Sequence, residues 1–313
     1  MKILVTGASG FVGRVFCERA EAAGHAVRRV FRRADQSEDA CFVGDLASTQ
    51  DWSAAFVGVE AVVHLAARVH QMRENPKEAV RAYQQINVDA TRRLVQQAAE
   101  AGVKRFIFIS SIKVNGERTV GGALTENDEP APCDLYGRSK WLAEKEVREH
   151  AEALDMEWTI IRPPLVYGAG VGGNFERLMG LVKRGVPLPL GRMRARRSYV
   201  NVWNLVDLIL LCCEHPAASR QVFLAEDATL TTSDLVKRIG QAMGARARLL
   251  PVPRWLMTCG EHLPVVGAAV SRLTGELEVS AEKARTMLGW RPAIDLDEGL
   301  RRTVSRYLNP PED

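Results

Sequence analysis

The chain has 313 residues, of which 46% are hydrophobic, so it can bury a full core in one large domain or in one domain with a smaller lobe. Its net charge of +4 comes from arginines in short clusters, and only 6% of the residues are aromatic. Nucleic-acid binding needs a continuous basic face with interleaved aromatics, so no nucleic-acid partner is predicted. Short arginine clusters instead favour phosphate groups on small molecules.

The sequence predicts neither a membrane segment nor a metal site. The apolar stretch 256–270 is interrupted by Glu261, His262 and Pro264, so it is too polar to span a bilayer. The opening residues MKILVTG read as a strand that enters a glycine loop, which leaves no room for a signal peptide. The six cysteines contain no C-x-x-C pair and the six histidines have no metal-ligand spacing. We therefore expect a cytoplasmic protein without a bound metal.

Up to about residue 165, short β-branched runs alternate with longer amphipathic stretches, as in βαβ units around a parallel sheet. Strands are predicted at Lys2–Thr6, Ala26–Phe31, Ala40–Val43, Ala61–His64, Arg105–Ser110 and Trp158–Arg162. Helices are predicted at Phe11–Ala23, Asp51–Phe56, Pro76–Ala101 and Tyr136–Ala153. The pattern predicts an α/β fold in which residues 1–165 form a Rossmann-type, doubly wound parallel sheet that binds a dinucleotide.

After Pro163 and Pro164 the alternation loosens, and proline, glycine and arginine become frequent. Helices are predicted there at Trp203–Glu214, Thr232–Met243, Ser280–Leu288 and Leu296–Tyr307. We expect residues 166–313 to form a smaller α/β lobe, and it stays open whether some late segments return to the first domain.

A glycine-rich turn follows the first predicted strand and opens the first predicted helix. Glycines let the backbone approach a pyrophosphate, while the helix N-terminus supplies unpaired N–H groups and a favourable dipole. The residues predicted to bind the dinucleotide at this turn are Gly7, Ser9, Gly10, Phe11, Val12 and Gly13.

The residues at the end of the second strand help to distinguish NAD(H) from NADP(H), because an acidic side chain there would accept hydrogen bonds from the adenosine ribose hydroxyls. Here Phe31 is followed by Arg32 and Arg33, whose guanidinium groups favour a 2′-phosphate. The sequence therefore predicts NADP(H), with NAD(H) as the alternative. Asp45 and Leu46, after the third strand, are predicted to meet the adenine.

Tyr136 and Lys140 lie four residues apart, so on a helix they share one face. A neighbouring cation favours the phenolate and is expected to lower the tyrosine pKa towards the working range. Ser110 and Ser111 end a preceding strand, at the edge where open α/β sheets place their ligands. The pattern predicts proton transfer by Tyr136, with Lys140 as its neighbouring cation and the two serines at the same edge of the sheet.

Motifs along nearly the whole chain resemble those of the extended short-chain dehydrogenases, in particular the UDP-glucose 4-epimerase group and its sugar 4-ketoreductase relatives. They are TGASGFVG at 6–13, HLAA at 64–67, NV at 87–88, FISS at 108–111, YGRSK at 136–140 and LGWRP at 288–292. The resemblance implies that Tyr136 is the general acid and base at the sugar hydroxyl, that Ser111 hydrogen-bonds the same oxygen, and that Lys140 holds the nicotinamide ribose. The residues that would line the cofactor are Leu65, Ala66, Ala67, Asn87 and Pro163.

The same resemblance implies a UDP-sugar as substrate, with Asn174 at the uridine diphosphate, Arg197 at the pyrophosphate and Arg272 as a second phosphate contact. Asn115 stands where the family usually has a tyrosine, so the resemblance does not determine which residues face the sugar. The helices predicted at 76–101 and 136–153 match the pair through which the family forms a homodimer as a four-helix bundle. Their apolar faces could equally pack only on the sheet.

Three reactions share this scaffold, and the residues after Ser111 bear on the choice. Dehydratases carry an Asp-Glu pair there, whereas this chain has Ile112 and Lys113, which argues against dehydration. A 4-epimerase keeps its cofactor, while a 4-ketoreductase must exchange it.

The arginines after Phe31 and the segment SSIKVNGE favour 4-keto reduction of a UDP-6-deoxy-4-keto-hexosamine, which the resemblance places in surface polysaccharide synthesis. The alternative is a UDP-hexose or UDP-N-acetylhexosamine 4-epimerase with bound NAD. An alternative of another class is a non-catalytic NADP-binding sensor, against which the intact Ser111, Tyr136 and Lys140 set argues.

Overall fold

The computed structural model describes residues 1–32, 40–42, 44–48, 51–69, 75–252 and 275–310. A seven-stranded parallel sheet has the order β3-β2-β1-β4-β5-β6-β9. Its strands are β1 (Lys2–Thr6), β2 (Ala26–Phe31), β3 (Ala40–Phe42), β4 (Ala61–His64), β5 (Arg105–Ile109), β6 (Glu157–Arg162) and β9 (Gln221–Leu224). The order 3-2-1-4-5-6 is that of the Rossmann fold, so the predicted fold class is confirmed.

Helices cover both faces of this sheet and leave one edge for the site. The helices are α1 (Phe11–Ala22), α2 (Pro76–Tyr83), α3 (Ala90–Glu100), α4 (Leu135–Ala153), α5 (Gly173–Lys183), α6 (Val202–Glu214), α7 (Thr232–Ala242), α8 (Glu282–Leu288) and α9 (Leu296–Leu308). Alternate strand residues point to opposite faces. Ile3 therefore joins the core under α1 and α6, while Leu4 joins the core under α3 and α4. Because both faces are covered, the strands are continuous apolar runs.

The segment predicted as one helix over residues 76–101 is interrupted. A π-helical turn, Gln84–Asp89, separates α2 from α3. Such turns occur often at functional sites because they re-aim one side chain without ending the helix. Here the turn carries Asn87, one of the predicted cofactor residues. The helix predicted at Asp51–Phe56 is a short 3₁₀ turn at Ser53–Phe56.

A second, three-stranded sheet has the order β10-β8-β7, formed by β7 (Leu165–Tyr167), β8 (Arg196–Asn201) and β10 (Ala228–Thr231). With α5, α7 and α9 it encloses a separate apolar cluster that includes Tyr167, Phe175 and Ile239. Between these segments, α6 and β9 pack into the first sheet, so the chain crosses between the two cores more than once. Within the described residues, no helix has both the length and the apolar character that crossing a membrane requires.

Candidate functional site

The turn between β1 and α1 forms a cradle that only glycine permits. Gly7 has a φ of +72°, and a Cβ on it would lie 2.8 Å from the amide nitrogen of Ala66. A Cβ on Gly13 would lie 2.1 Å from the carbonyl oxygen of Gly7. Gly10 caps α1 without a side-chain hydrogen bond, so the backbone N–H groups of the first turn remain for a ligand. The cradle therefore fits the pyrophosphate of a dinucleotide.

The other predicted residues of this turn lie on its accessible side. Ser9 and Gly10 are exposed, while Phe11 and Val12 are half-buried at the start of α1. At the far end of the cleft, Arg32 is exposed directly after β2. Arg33 lies outside the described residues.

The predicted adenine contacts lie in a short loop that α3 holds in place. Asp45 Oδ1 accepts a hydrogen bond from the amide of Ala47 at 3.0 Å. Arg93 of α3 donates to the carbonyls of Leu46 and Ala47, at 3.3 and 2.8 Å. Asp45 therefore has a fixed side chain at the carboxyl edge of the sheet, after β3, with β2 between it and the strand that enters the glycine cradle.

The loop after β4 forms a second wall. Leu65, Ala66 and Ala67 are half-buried there. Asn87 is buried and joins this loop to α4: its Oδ1 accepts from the amide of Arg68 at 2.7 Å, and its Nδ2 donates to the carbonyl of Arg68 at 3.0 Å and to Ser139 Oγ at 2.9 Å. Asn87 therefore holds the loop after β4 against helix α4. Its position in the sequence alone did not reveal this role.

His64 ends β4 and is a structural residue. Its ring bonds to Thr6 Oγ1 at 2.6 Å and to Thr91 Oγ1 at 2.9 Å. Burial, with a smaller effect from the Lys140 charge, lowers the pKa of His64 to about 3. It is therefore neutral at physiological pH.

Ser111 follows β5 at the carboxyl edge of the sheet. It begins a 3₁₀ turn at Ile112–Val114, and its Oγ accepts from the amide of Lys113 at 3.3 Å. The turn is tied to β6 because the amide of Ile112 donates to the carbonyl of buried Pro163 at 3.0 Å. Ser111 is half-buried.

Tyr136 lies in the first turn of α4, half-buried against Tyr83, with ring centroids 6.3 Å apart. Burial, with the nearby Asp134 and Tyr83, raises the pKa of Tyr136 well above its usual value. This direction is opposite to the sequence-based expectation that Lys140 lowers the pKa. The loss of hydration is the main cause, and the Lys140 ammonium lies 4.0 Å over the ring of Phe108.

Lys140 is itself buried, and burial lowers its pKa to about 7 against the opposing effect of Glu144. Glu144 lies one helical turn further along α4 and is fully buried. It accepts two hydrogen bonds from Arg162 at the end of β6, at 2.8 and 2.6 Å. The ammonium of Lys140 therefore stands at the end of a buried charge network that the sequence did not predict.

Asn115 belongs to this network. Its Oδ1 accepts from Arg162 at 3.0 Å, and its Nδ2 donates to the carbonyls of Asp128 and Thr125 at 3.2 and 3.5 Å. The side chain that replaces the family's usual tyrosine is thus buried and committed to framework contacts. Arg68 and Tyr83 were also missed as site residues. Arg68 lies over the ring of Tyr83 at 5.9 Å, and Tyr83 in turn packs against Tyr136.

The predicted sugar-nucleotide residues lie in the second lobe. Asn174 is exposed in the first turn of α5. Arg197 of β8 is half-buried, and its NH1 donates to the carbonyl of Gly275 at 2.8 Å. Arg272 lies outside the described residues. Within the described part of the chain, no group of three or more His, Cys, Asp or Glu side chains is arranged to hold a metal ion.

The arrangement brings a phenol, a serine hydroxyl and a buried ammonium to the sheet edge that also carries the glycine cradle. A phenol in such a cleft can give a proton to, or take one from, an oxygen that changes between hydroxyl and carbonyl. A nicotinamide on the cradle would carry the hydride for the same carbon. The chemistry that fits is reversible oxidation of a secondary alcohol.

Comparison with known proteins agrees with this chemistry. Residues 3–224 match the model of the NAD dependent epimerase/dehydratase family. A UDP-glucose 4-epimerase from Vibrio cholerae is 41% identical over 98% of this chain and 95% of its own length.

Two solved structures resemble the fold over nearly the whole chain. A short-chain dehydrogenase/reductase superfamily protein from Agrobacterium tumefaciens, with bound NAD, has a TM-score of 0.77 and 25% identity, covering 97% of this chain and 96% of its own. MoeE5, in complex with UDP-glucose and NAD, has a TM-score of 0.77 and 25% identity, covering 97% and 98%.

Proposed function

The chain belongs to the NAD dependent epimerase/dehydratase family, and from that premise we propose that it catalyses the 4-epimerisation of a UDP-linked hexose or N-acetylhexosamine with NAD held in the cradle. The proposal is supported by the position of Ser111 directly after β5 and of Tyr136 and Lys140 in α4, next to the sheet whose β1 leads into the glycine turn. The Vibrio cholerae relative supports the substrate class, and the NAD bound in the Agrobacterium tumefaciens protein supports the cofactor.

Bound NAD supplies a hydride acceptor that can return the hydride to the other face of the sugar. Gly7, Gly10 and Gly13 would hold its pyrophosphate. Tyr136 would take the proton of the sugar hydroxyl at its phenol oxygen and give it back, while Ser111 would hydrogen-bond the same sugar oxygen. Lys140 would favour the phenolate whenever its own ammonium is charged.

A second candidate is the 4-keto reduction of a UDP-6-deoxy-4-keto-hexosamine with NADPH, in surface polysaccharide synthesis. One observation favours it: β2 ends at Phe31 and Arg32, without the carboxylate that usually receives the ribose hydroxyls of NAD. The preference for NADPH stays a prediction.

One assay separates the candidates. Purified protein is mixed with UDP-glucose or UDP-N-acetylglucosamine without added cofactor, and the sugars are resolved by chromatography. Interconversion with the galacto epimer is the expected result. Consumption of NADPH by a UDP-linked 4-keto sugar, without interconversion, would favour the reductase instead.

The Tyr136→Phe variant tests whether the protein is a sensor. It keeps the ring that packs on Tyr83 and loses the hydroxyl, so turnover should fall by about 10²–10⁴-fold while NAD binding is retained. A protein that binds NAD equally well in both forms, and turns over in neither, would be a sensor and not an epimerase.

The homodimer through a four-helix bundle also remains a proposal. Val80 of α2 and Leu135 of α4 are exposed apolar side chains on the helices that would form the bundle, 50% and 42% exposed. Light scattering should give a molar mass twice that of one chain, and Val80→Glu should reduce the molar mass to that of a single chain.

A further inference from the structure

Lys113 connects the turn that carries Ser111 with the helix that carries Tyr136. Its backbone amide donates to Ser111 Oγ at 3.3 Å. Its ammonium pairs with the carboxylate of Asp134 and donates to Glu117 Oε1 at 3.1 Å. Asp134 is the N-cap of α4, and its second oxygen accepts from the amide of Gly137 at 2.7 Å. One carboxylate therefore both caps the tyrosine helix and binds the lysine of the serine turn.

The backbone of the two elements meets at the same place. A Cβ on Gly137 would lie 2.6 Å from the carbonyl oxygen of Lys113, so the helix and the turn are in closest contact beside the ion pair. The side chains of Lys113 and Asp134 are 32% and 34% exposed. A pair this open contributes modestly to stability, and its main effect is on local geometry and charge.

The charges around Tyr136 come from several elements. Asp134 lies on the same helix, Tyr83 on α2 and Lys140 one turn along α4. The Arg68 guanidinium lies 5.9 Å from the centre of the Tyr83 ring. Asp134 disfavours the phenolate, and the Lys113 ammonium on that carboxylate offsets its field. Glu117, the other partner of Lys113, is a further negative charge in this group.

We propose that Lys113 is a positioning residue for the reaction, which holds the Ser111 turn on the Tyr136 helix and neutralises Asp134 beside the phenol. This inference rests on the proposed function through the proton transfer by Tyr136.

The test is a double-mutant cycle with a pH profile. Lys113→Met, Asp134→Asn and the double variant are prepared, since asparagine can still cap the helix. The initial rate of interconversion of the UDP-sugar epimers is measured by chromatography at each pH. Lys113→Met should move the acid limb to higher pH by about one unit, because Asp134 is then uncompensated. Adding Asp134→Asn should move it back, and Lys113→Arg should restore the wild-type profile.

Lys237→Met is the matched control, because Lys237 pairs with Asp234 at 3.0 Å in the first turn of α7, away from the cleft. It should leave the profile unchanged. A uniform loss of rate at every pH in Lys113→Met, or strictly additive effects in the double variant, would overturn the proposal and leave Lys113 a surface residue.

Thermal unfolding separates this inference from the proposed function. The midpoint shifts of Lys113→Met and Asp134→Asn should be less than additive in the double variant, whichever reaction the protein catalyses. If that coupling is present and the wild type turns over no UDP-sugar, the proposed function fails and the link between Lys113 and Asp134 stands. If the coupling is absent, the inference about Lys113 fails whatever the turnover.

Discussion

Gly13 lies in the glycine cradle at a position where no side chain fits. Its missing Cβ would lie 2.1 Å from the carbonyl oxygen of Gly7, the residue that begins the turn. Gly13→Ala should displace the turn and weaken NADH binding about tenfold or more, since overpacking costs about 1–3 kcal/mol. Fluorescence titration with NADH measures the effect.

Gly172→Ala is the control for this substitution. A Cβ at Gly172 would meet only Glu176 Oε2 at 3.9 Å, which is ordinary contact, so NADH affinity should not change. Equal affinity in the two variants would show that the close contact at Gly13 does not shape the cofactor site.

His64 gives the folded protein a pH dependence of known sign. Burial holds its pKa at about 3 in the folded state, against about 6.5 in an unfolded chain. Between these values the unfolded state binds a proton that the folded state does not, so stability falls as pH drops below about 6.5. The slope approaches about 1.4 kcal/mol per pH unit for one group.

Urea unfolding at pH 7, 6 and 5 measures this slope. His64→Asn should lose it, although the variant is less stable at pH 7 because the hydrogen bonds to Thr6 and Thr91 change. Parallel slopes for the wild type and the variant would mean that other groups cause the acid sensitivity.

Strand β6 and helix α4 are joined by a buried ion pair, between Arg162, 2% exposed, and Glu144, fully buried. Glu144→Gln would leave the guanidinium charge buried without its counter-charge, and should cost about 3–5 kcal/mol of unfolding free energy. The double variant Glu144→Leu with Arg162→Met should recover much of this, since an apolar pair needs no dehydration of charge.

An exposed pair is the comparison for this element. Asp297 of α9 pairs with Arg238 of α7, and both side chains are largely exposed. Asp297→Asn should therefore cost no more than about 1 kcal/mol. Denaturant midpoints of the three variants test the contrast, and a similar loss for Glu144→Gln and Asp297→Asn would contradict it.

Elements were predictable where the pattern is local. Strands β1, β2 and β4 begin and end where the apolar runs do. The π-turn at Gln84–Asp89 has no such signal, because Asn87 at its centre is bound to Arg68 and Ser139, which are 19 and 52 positions away. Helix α5 was missed because its start, Gly172 and Gly173, resembles a loop.

The candidate site likewise contains some residues that local motifs identify and others whose roles depend on distant partners. Motif spacing identified Tyr136 and Ser111, because both depend on position within one element. The roles of Lys113 and Glu144 depend on partners 21 and 18 positions away, Asp134 and Arg162. The direction of the Tyr136 pKa could not be predicted either, since it is set mainly by burial, and burial is a property of the packed chain.

At the scale of the whole molecule, the late part of the chain packs against the first sheet and its core. Strand β9 extends the first sheet beside β6, with Ile161 opposite Phe223. Trp290, from the LGWRP motif, is buried in the core under α1 and α6. The expected division at residue 165 stays a prediction about domains, but the cores themselves share chain segments. Such pairing between distant segments leaves no local pattern to predict it from.

Asn204 is the side chain that holds these distant segments together. It lies on α6, fully buried, and its Nδ2 donates to Asp227 Oδ2 and to the carbonyl of Ile294, both at 2.8 Å. Its Oδ1 accepts from the amide of Ile294 at 3.1 Å. One amide group thus joins the first core, the loop before β10 and the segment before α9.

Asn204→Ala should leave several buried polar groups without partners at once. Each such group costs about 1–3 kcal/mol, so we expect a loss of about 3 kcal/mol or more in unfolding free energy. Urea unfolding followed by circular dichroism should show one transition at a lower midpoint, because the segments that lose contact belong to both cores. Asn309→Ala, at an exposed position after α9, is the matched control and should not move the midpoint. If Asn204→Ala instead left the midpoint unchanged, or divided the unfolding into two well-separated transitions, the two cores would be independent of this junction.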